Sequence, residues 1–137
     1  MSPSKRQRGN QFQDRIKKFL ESQGWTVHNQ KSVATLIKVR GQEIWTSKRN
    51  DIFGCIDLVA RKGGQTPLCI QATLDHGVSK RIKELEKIPW NLACENVQVW
   101  YGKPGGEIVI KIFNGVELIE LGRILRGKFY SLEGGET

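Results

Sequence analysis

The stretch that decides the fold runs from Asp51 to Thr73 and reads DIFGCIDLVARKGGQTPLCIQAT. Its two ends, residues 51–60 and 68–73, are strongly β-prone, and residues 61–67 between them have the composition of a turn. Both β-prone runs are mostly apolar, which is typical of interior strands. We therefore predict two neighbouring antiparallel strands joined by a short turn.

Polar side chains interrupt these two apolar strands. Alternation along a strand puts Asp57 on the face of Cys55 and Val59, and it puts Gln71 on the face of Thr73. An ionised aspartate is costly to bury unless it is paired or binds a metal. A hairpin would set Asp57 beside Gln71, and carboxylate and amide oxygens are ligands that Mg²⁺ accepts.

Asp51 is a second acid that we consider as a metal ligand. On a straight strand it would lie about 20 Å from Asp57, at about 3.3 Å per residue. It can reach the same cation only if the chain bends at Phe53 and Gly54.

The rest of the chain predicts two helices and several further strands. The first helix is predicted over 11–23 with Asn10 as its cap, and the second runs from a Ser79 cap to about residue 88. Further strands are predicted at 25–28, 33–39, 43–46, 97–101, 107–113 and 116–121. This order favours an α+β fold of α/β/α type, in which helices flank a mixed central sheet. We expect a flexible basic arm over 1–9, one domain over 10–125 and a polar tail over 126–137.

The net charge of +8 on 137 residues is concentrated in one half of the chain. Residues 1–62 contain 13 Lys and Arg against 5 Asp and Glu, whereas residues 63–137 contain nine of each. A one-sided excess of cations favours a polyanionic partner such as DNA. The residues predicted to contact DNA are Lys5, Arg6, Arg8, Lys17, Lys38, Arg40, Lys48, Arg49, Lys80 and Arg81, with Trp45 as a base-stacking candidate.

Composition excludes several other classes of protein. A hydrophobic content of 38% is too high for a disordered chain, and no apolar run approaches a membrane span. The three cysteines lack the CxxC spacing of zinc sites and favour a reducing compartment. No secretory signal precedes the first helix, so a cytoplasmic location is expected.

The same residues resemble the PD-(D/E)xK nuclease superfamily, and within it the archaeal-type Holliday junction resolvases and related phage nucleases. The segments that carry the resemblance are RGNQFQDRIKKFLESQGW at 8–25, IDLVA at 56–60 and LCIQAT at 68–73. The resemblance implies a restriction-endonuclease-like fold and an Mg²⁺- or Mn²⁺-dependent DNA endonuclease. It also implies a homodimer that acts on branched DNA such as Holliday junctions.

Carried over by position, the resemblance assigns Asp57, Gln71 and Thr73 to the catalytic site. Gln71 stands where the family has Glu, and Thr73 stands where it has Lys. The family's acidic residue on the first helix would fall at Gln13, with Asp14 beside it. These departures leave an alternative open, namely a DNA-binding module that keeps the fold without catalysing cleavage.

Overall fold

The computed structural model describes residues 5–29, 33–48, 53, 55–74, 77–132 and 135–136. Its two helices are α1 (Lys5–Ser22) and α2 (Val78–Glu86). The strands are β1 (Thr26–Asn29), β2 (Val33–Val39), β3 (Gln42–Lys48), β4 (Leu58–Arg61), β5 (Leu68–Thr73), β6 (Asn96–Gly102), β7 (Ile108–Phe113), β8 (Leu118–Leu125), β9 (Lys128–Ser131) and β10 (Gly135–Glu136).

Eight of these strands form one mixed sheet in the order β1-β4-β5-β6-β7-β8-β9-β10. β5 and β6 are parallel and are connected through α2, whereas the other neighbours in the sheet are antiparallel. The predicted antiparallel pairing of the two β-prone runs is confirmed, with Leu58 opposite Ile70. The predicted bounds of β5 are also confirmed.

Two apolar cores lie on the sheet, each beneath one helix. Phe12, Ile16 and Leu20 of α1 lie in the first core. That core also takes in Leu58, Ala60, Leu68, Ile70, Trp100, Ile108, Ile110 and Ile124. Leu85 of α2 lies in the second core, together with Cys55, Ile56, Val97, Val99, Tyr101, Val109 and Phe113.

The predicted helix-flanked sandwich of α/β/α, restriction-endonuclease-like type is wrong. The sheet curls into a half-barrel, and the α1 core extends along it from β4 as far as Ile124 on β8. A single helix on each face is too little to cover an eight-stranded sheet, as the helical layers of an α/β/α sandwich would. The reason lies after residue 96, where the chain continues in β-prone runs joined by tight turns and so lengthens the sheet. An α+β description is compatible with this architecture.

Both helices begin earlier than their predicted caps. α1 starts at Lys5, so Asn10 lies inside the helix and residues 5–9 are not a flexible arm. α2 has Gly77 as its cap residue, without a side-chain hydrogen bond, and Ser79 lies in its first turn. The described part of the chain contains no helix that is both long and apolar enough to cross a membrane.

The predicted polar tail over 126–137 is also corrected. β9 and β10 fall within it, and β9 pairs along β8 with Leu125 opposite Lys128. β8 itself runs to Leu125, four residues beyond the predicted end of that strand. Alternating apolar residues in the tail, such as Phe129, allow it to join the edge of the sheet and contribute to the α1 core.

The predicted hairpin over 33–46 is confirmed as a separate two-stranded sheet of β2 and β3. Arg40 and Gly41, which connect its strands, have φ angles of 52° and 80°. Two consecutive residues with positive φ are typical of the tight turns that match the twist of a hairpin. Arg40 is exposed at this turn.

Gly122 of β8 provides a test of the curled sheet. A Cβ atom at this position would lie 2.5 Å from the Tyr130 carbonyl oxygen and 2.7 Å from the Phe129 ring, both on β9. Gly122→Ala is therefore expected to lower the free energy of unfolding by about 1–3 kcal/mol, as overpacked sites do.

Urea denaturation measures this loss, with Gly63→Ala as the matched control. A Cβ atom at Gly63 would meet nothing within 4 Å. Equal stability of the two variants would contradict the observed packing of β8 on β9.

Candidate metal site at the β4–β5 junction

Asp57 lies immediately before β4 and is buried. Its backbone N–H donates to the Ile70 carbonyl oxygen at 2.9 Å, and its Oδ2 accepts the Ala72 N–H at 2.8 Å. Asp57 is therefore bonded to both chain neighbours of Gln71. The predicted juxtaposition of positions 57 and 71 is thus present in the structure.

The strand around Asp57 departs from the predicted alternation. β4 begins only at Leu58, and Ile56, which regular alternation would place on the Leu58 face, packs with Cys55 in the α2 core. Val59 packs against the same core, and alternation from Val59 directs Asp57 to the α2 side of the sheet. The strand is therefore irregular at Cys55 and Ile56, two consecutive residues that both pack in the α2 core just before Asp57.

Gln71 occupies the centre of β5 and is 2% exposed. Its Nε2 donates to Glu84 Oε2 of α2 at 3.1 Å, which places the side chain on the α2 side of the sheet. Its Oε1 is buried and has no hydrogen-bond partner. A buried acceptor without a partner costs about 1–3 kcal/mol, so this oxygen calls for an explanation.

Glu84 is a residue that sequence reasoning missed. Its Oε1 lies 3.1 Å from Arg81 Nη1, and its Oε2 accepts from Gln71. The i,i+3 spacing on α2 signals the pair with Arg81. The contact with Gln71 depends on how α2 docks on the sheet, which spacing within the helix does not reveal.

Two further residues of the predicted site have different outcomes. Thr73 is buried at the end of β5, on the face of Gln71 by alternation. Asp51 lies outside the described residues, so its proposed role stays a prediction.

The predicted site positions on α1, Gln13 and Asp14, lie near the end of the sheet at which β5 ends. The Phe12 ring and the Leu74 side chain both pack over Gly102, which brings the first half of α1 to the carboxyl ends of β5 and β6. Gln13 is buried there, and its Oε1 has no hydrogen-bond partner. Asp14 instead accepts from Asn29 Nδ2 of β1 at 3.4 Å.

The predicted DNA contacts divide into three groups. Arg8 and Lys80 are exposed like Arg40, and Lys17 is half-buried. Arg81 is corrected: it is buried and paired with Glu84, so it is not a surface phosphate contact. For Lys5, Arg6, Lys38, Trp45 and Lys48 only the backbone is described, and Arg49 lies outside the described residues.

The cysteines are packed or peripheral. Cys55 is buried, and burial raises the pKa of the Cys69 thiol, an effect to which the nearby Glu95 charge adds. A raised pKa leaves less thiolate, which is the reactive form. Cys55 and Cys69 therefore lie in the structure as packed thiols of low reactivity.

No group of three or more His, Cys, Asp or Glu suited to a metal ion occurs within the described part of the chain. The candidate ligands at the β4–β5 junction are the Asp57 carboxylate and the Gln71 amide carbonyl. Both are hard ligands of the kind that Mg²⁺ takes, and Mg²⁺ usually keeps several waters. The unpartnered Gln71 Oε1 fits such a cation.

Asp57 also has a structural role that substitution can isolate. Asp57→Ala would leave the Ala72 N–H without its acceptor, and we expect a loss of about 1–3 kcal/mol in the free energy of unfolding. Asp57→Asn keeps an acceptor oxygen and should lose less. Urea denaturation in metal-free buffer distinguishes the two variants, and equal losses would contradict the assigned hydrogen bond.

Comparisons with known proteins add little to this geometry. No protein-family model matches the chain, and no curated protein matches it. Among solved structures, one described as "Crystal structure of SSO0001" is similar, with a TM-score of 0.42 and 13% sequence identity. The match covers 79% of this chain and 50% of that one, so the chain spans about half the length of that protein. A likeness this weak shows neither family nor activity.

Proposed function

We propose that the chain is a metal-dependent DNA endonuclease whose cation is held by Asp57 and Gln71. The observation that carries the proposal is the buried Gln71 Oε1, which lacks a hydrogen-bond partner beside a buried carboxylate-bearing residue. A divalent cation bound there would satisfy this oxygen and neutralise the Asp57 charge.

Each residue of the site has a separate task. Asp57 supplies the negative charge that attracts the cation, and its bond to Ala72 fixes the carboxylate relative to β5. Gln71 supplies a neutral oxygen from the adjacent strand. When bound, Mg²⁺ supplies a water of lowered pKa and stabilises the negative charge that develops on a phosphodiester.

The protein surface supports a nucleic-acid substrate. The net charge is +8, and Arg8, Arg40 and Lys80 present exposed cations. Such cations bind phosphates without reading sequence, so affinity for DNA should fall steeply as salt is raised. Exposed cations of this kind suit the backbone of a DNA substrate, including branched DNA.

A non-catalytic DNA-binding module is the second candidate. It is favoured by the lack of a three-acid cluster among the described residues. It is also favoured by Thr73 at the position where a lysine would assist the attacking water. This candidate predicts salt-sensitive DNA binding without cleavage.

The test is cleavage of labelled four-way, flap and linear DNA by the full chain in Mg²⁺ and in EDTA. We expect cleavage only with the metal. Asp57→Asn should reduce the rate at least about 100-fold, because several kcal/mol of charge stabilisation is lost. This variant keeps an acceptor for the Ala72 N–H, so the loss reports on charge rather than on folding.

Glu117→Gln is the matched control, since it removes an acid that is exposed in the turn between β7 and β8. Its rate should equal that of the unmodified chain. Cleavage that persists in EDTA, or an Asp57→Asn variant of full activity, would refute the proposal. Binding of DNA without cleavage of any substrate would favour the non-catalytic module.

A further inference from the structure

The two ends of the Gln71 amide have different surroundings. Nε2 lies 3.1 Å from Glu84 Oε2, whereas Oε1 is buried without a hydrogen-bond partner. An ionised carboxylate only accepts hydrogen bonds, so it requires the amide nitrogen, not the carbonyl, to face it. Glu84 therefore determines which way the Gln71 carbonyl points.

Glu84 is itself held in place. Arg81 Nη1 contacts the other carboxylate oxygen at 3.1 Å, and the two side chains are 9% and 22% exposed. Charge-assisted bonds of this kind are stronger than neutral ones, and shielding from water strengthens them further. Both Glu84 oxygens are thus used, one by Arg81 and one by Gln71.

We propose that Glu84, held by Arg81, is a positioning residue that orients Gln71 so that its carbonyl oxygen is presented to the cation. This inference rests on the proposed metal site and deepens it, since it assigns a role outside the two ligands. Metal ligands are commonly oriented by such outer partners, and their loss typically weakens metal binding about 10–100-fold.

The proposal also explains why an amide suits position 71. A glutamate there would place a carboxylate oxygen against Glu84 Oε2, where Gln71 Nε2 now donates. Two carboxylates at that separation repel each other. The amide avoids this repulsion and still offers one oxygen. Because the contact needs one amide and one carboxylate, we expect the double swap Gln71→Glu with Glu84→Gln to preserve it.

The experiment compares Gln71→Glu, Glu84→Gln and the double swap. The melting temperature of each variant in metal-free buffer reports on the Gln71–Glu84 contact without any contribution from a bound cation. We expect Gln71→Glu to lower the melting temperature by about 5 °C or more, which corresponds to roughly 1 kcal/mol or more in a domain of this size, and the double swap to recover most of that loss.

Mn²⁺ titration of the same proteins measures the positioning role. Glu84→Gln should bind Mn²⁺ about tenfold more weakly than the unmodified chain. Glu86→Gln, which removes an equal charge from an exposed position on α2, should bind like the unmodified chain. The double swap should bind at least as tightly as the unmodified chain.

The outcomes separate this inference from the proposed function. If the unmodified chain binds Mn²⁺ and Glu84→Gln binds it equally well, the positioning role is wrong and the metal site stands. If the double swap recovers neither stability nor affinity, the Gln71–Glu84 contact is wrong. If the unmodified chain binds no Mn²⁺, the proposed metal site fails and the positioning role fails with it.

Discussion

The Asp57 carboxylate, bonded to the Ala72 N–H at 2.8 Å, is the interaction on which the rest of the site depends. It ties the residue before β4 to the middle of β5, where the buried backbone of an interior strand would otherwise lose a partner. Asp57 is 5% exposed, and its chain neighbours Ile56 and Leu58 lie in the α2 core and the α1 core. Burying a carboxylate is costly unless it is hydrogen-bonded or paired, and the Ala72 N–H supplies one such bond.

Gln71 extends this constraint from the sheet to α2. Through Glu84 and Arg81, the amide is tied to a helix that also packs Leu85 into the second core. The series of polar contacts from Gln71 through Glu84 to Arg81 therefore helps to dock α2 on the sheet. The same arrangement fixes a helix and leaves the Gln71 carbonyl oxygen without a hydrogen-bond partner. In the proposed metal site, this oxygen is the ligand that the scaffold orients before the cation binds.

The sequence predicts the β4–β5 hairpin well because the signal is local. A β-prone run, a turn and a second run place Asp57 beside Gln71 by period-two geometry. The half-barrel is not predictable in the same way, because curling depends on contacts such as Ile124 with the α1 core that are distant in sequence. Arg81 is misplaced for a related reason, since a cation on an amphipathic helix looks solvent-exposed until the helix is docked. Glu84 carries no sequence signal that points to β5.

Anomalous diffraction from a crystal of the full chain soaked in Mn²⁺ tests whether Asp57 and Gln71 bind one cation together. We expect one Mn²⁺ peak in coordination contact with both an Asp57 carboxylate oxygen and Gln71 Oε1. A map with no peak at the β4–β5 junction, or with a peak that contacts only one of these residues, would contradict it.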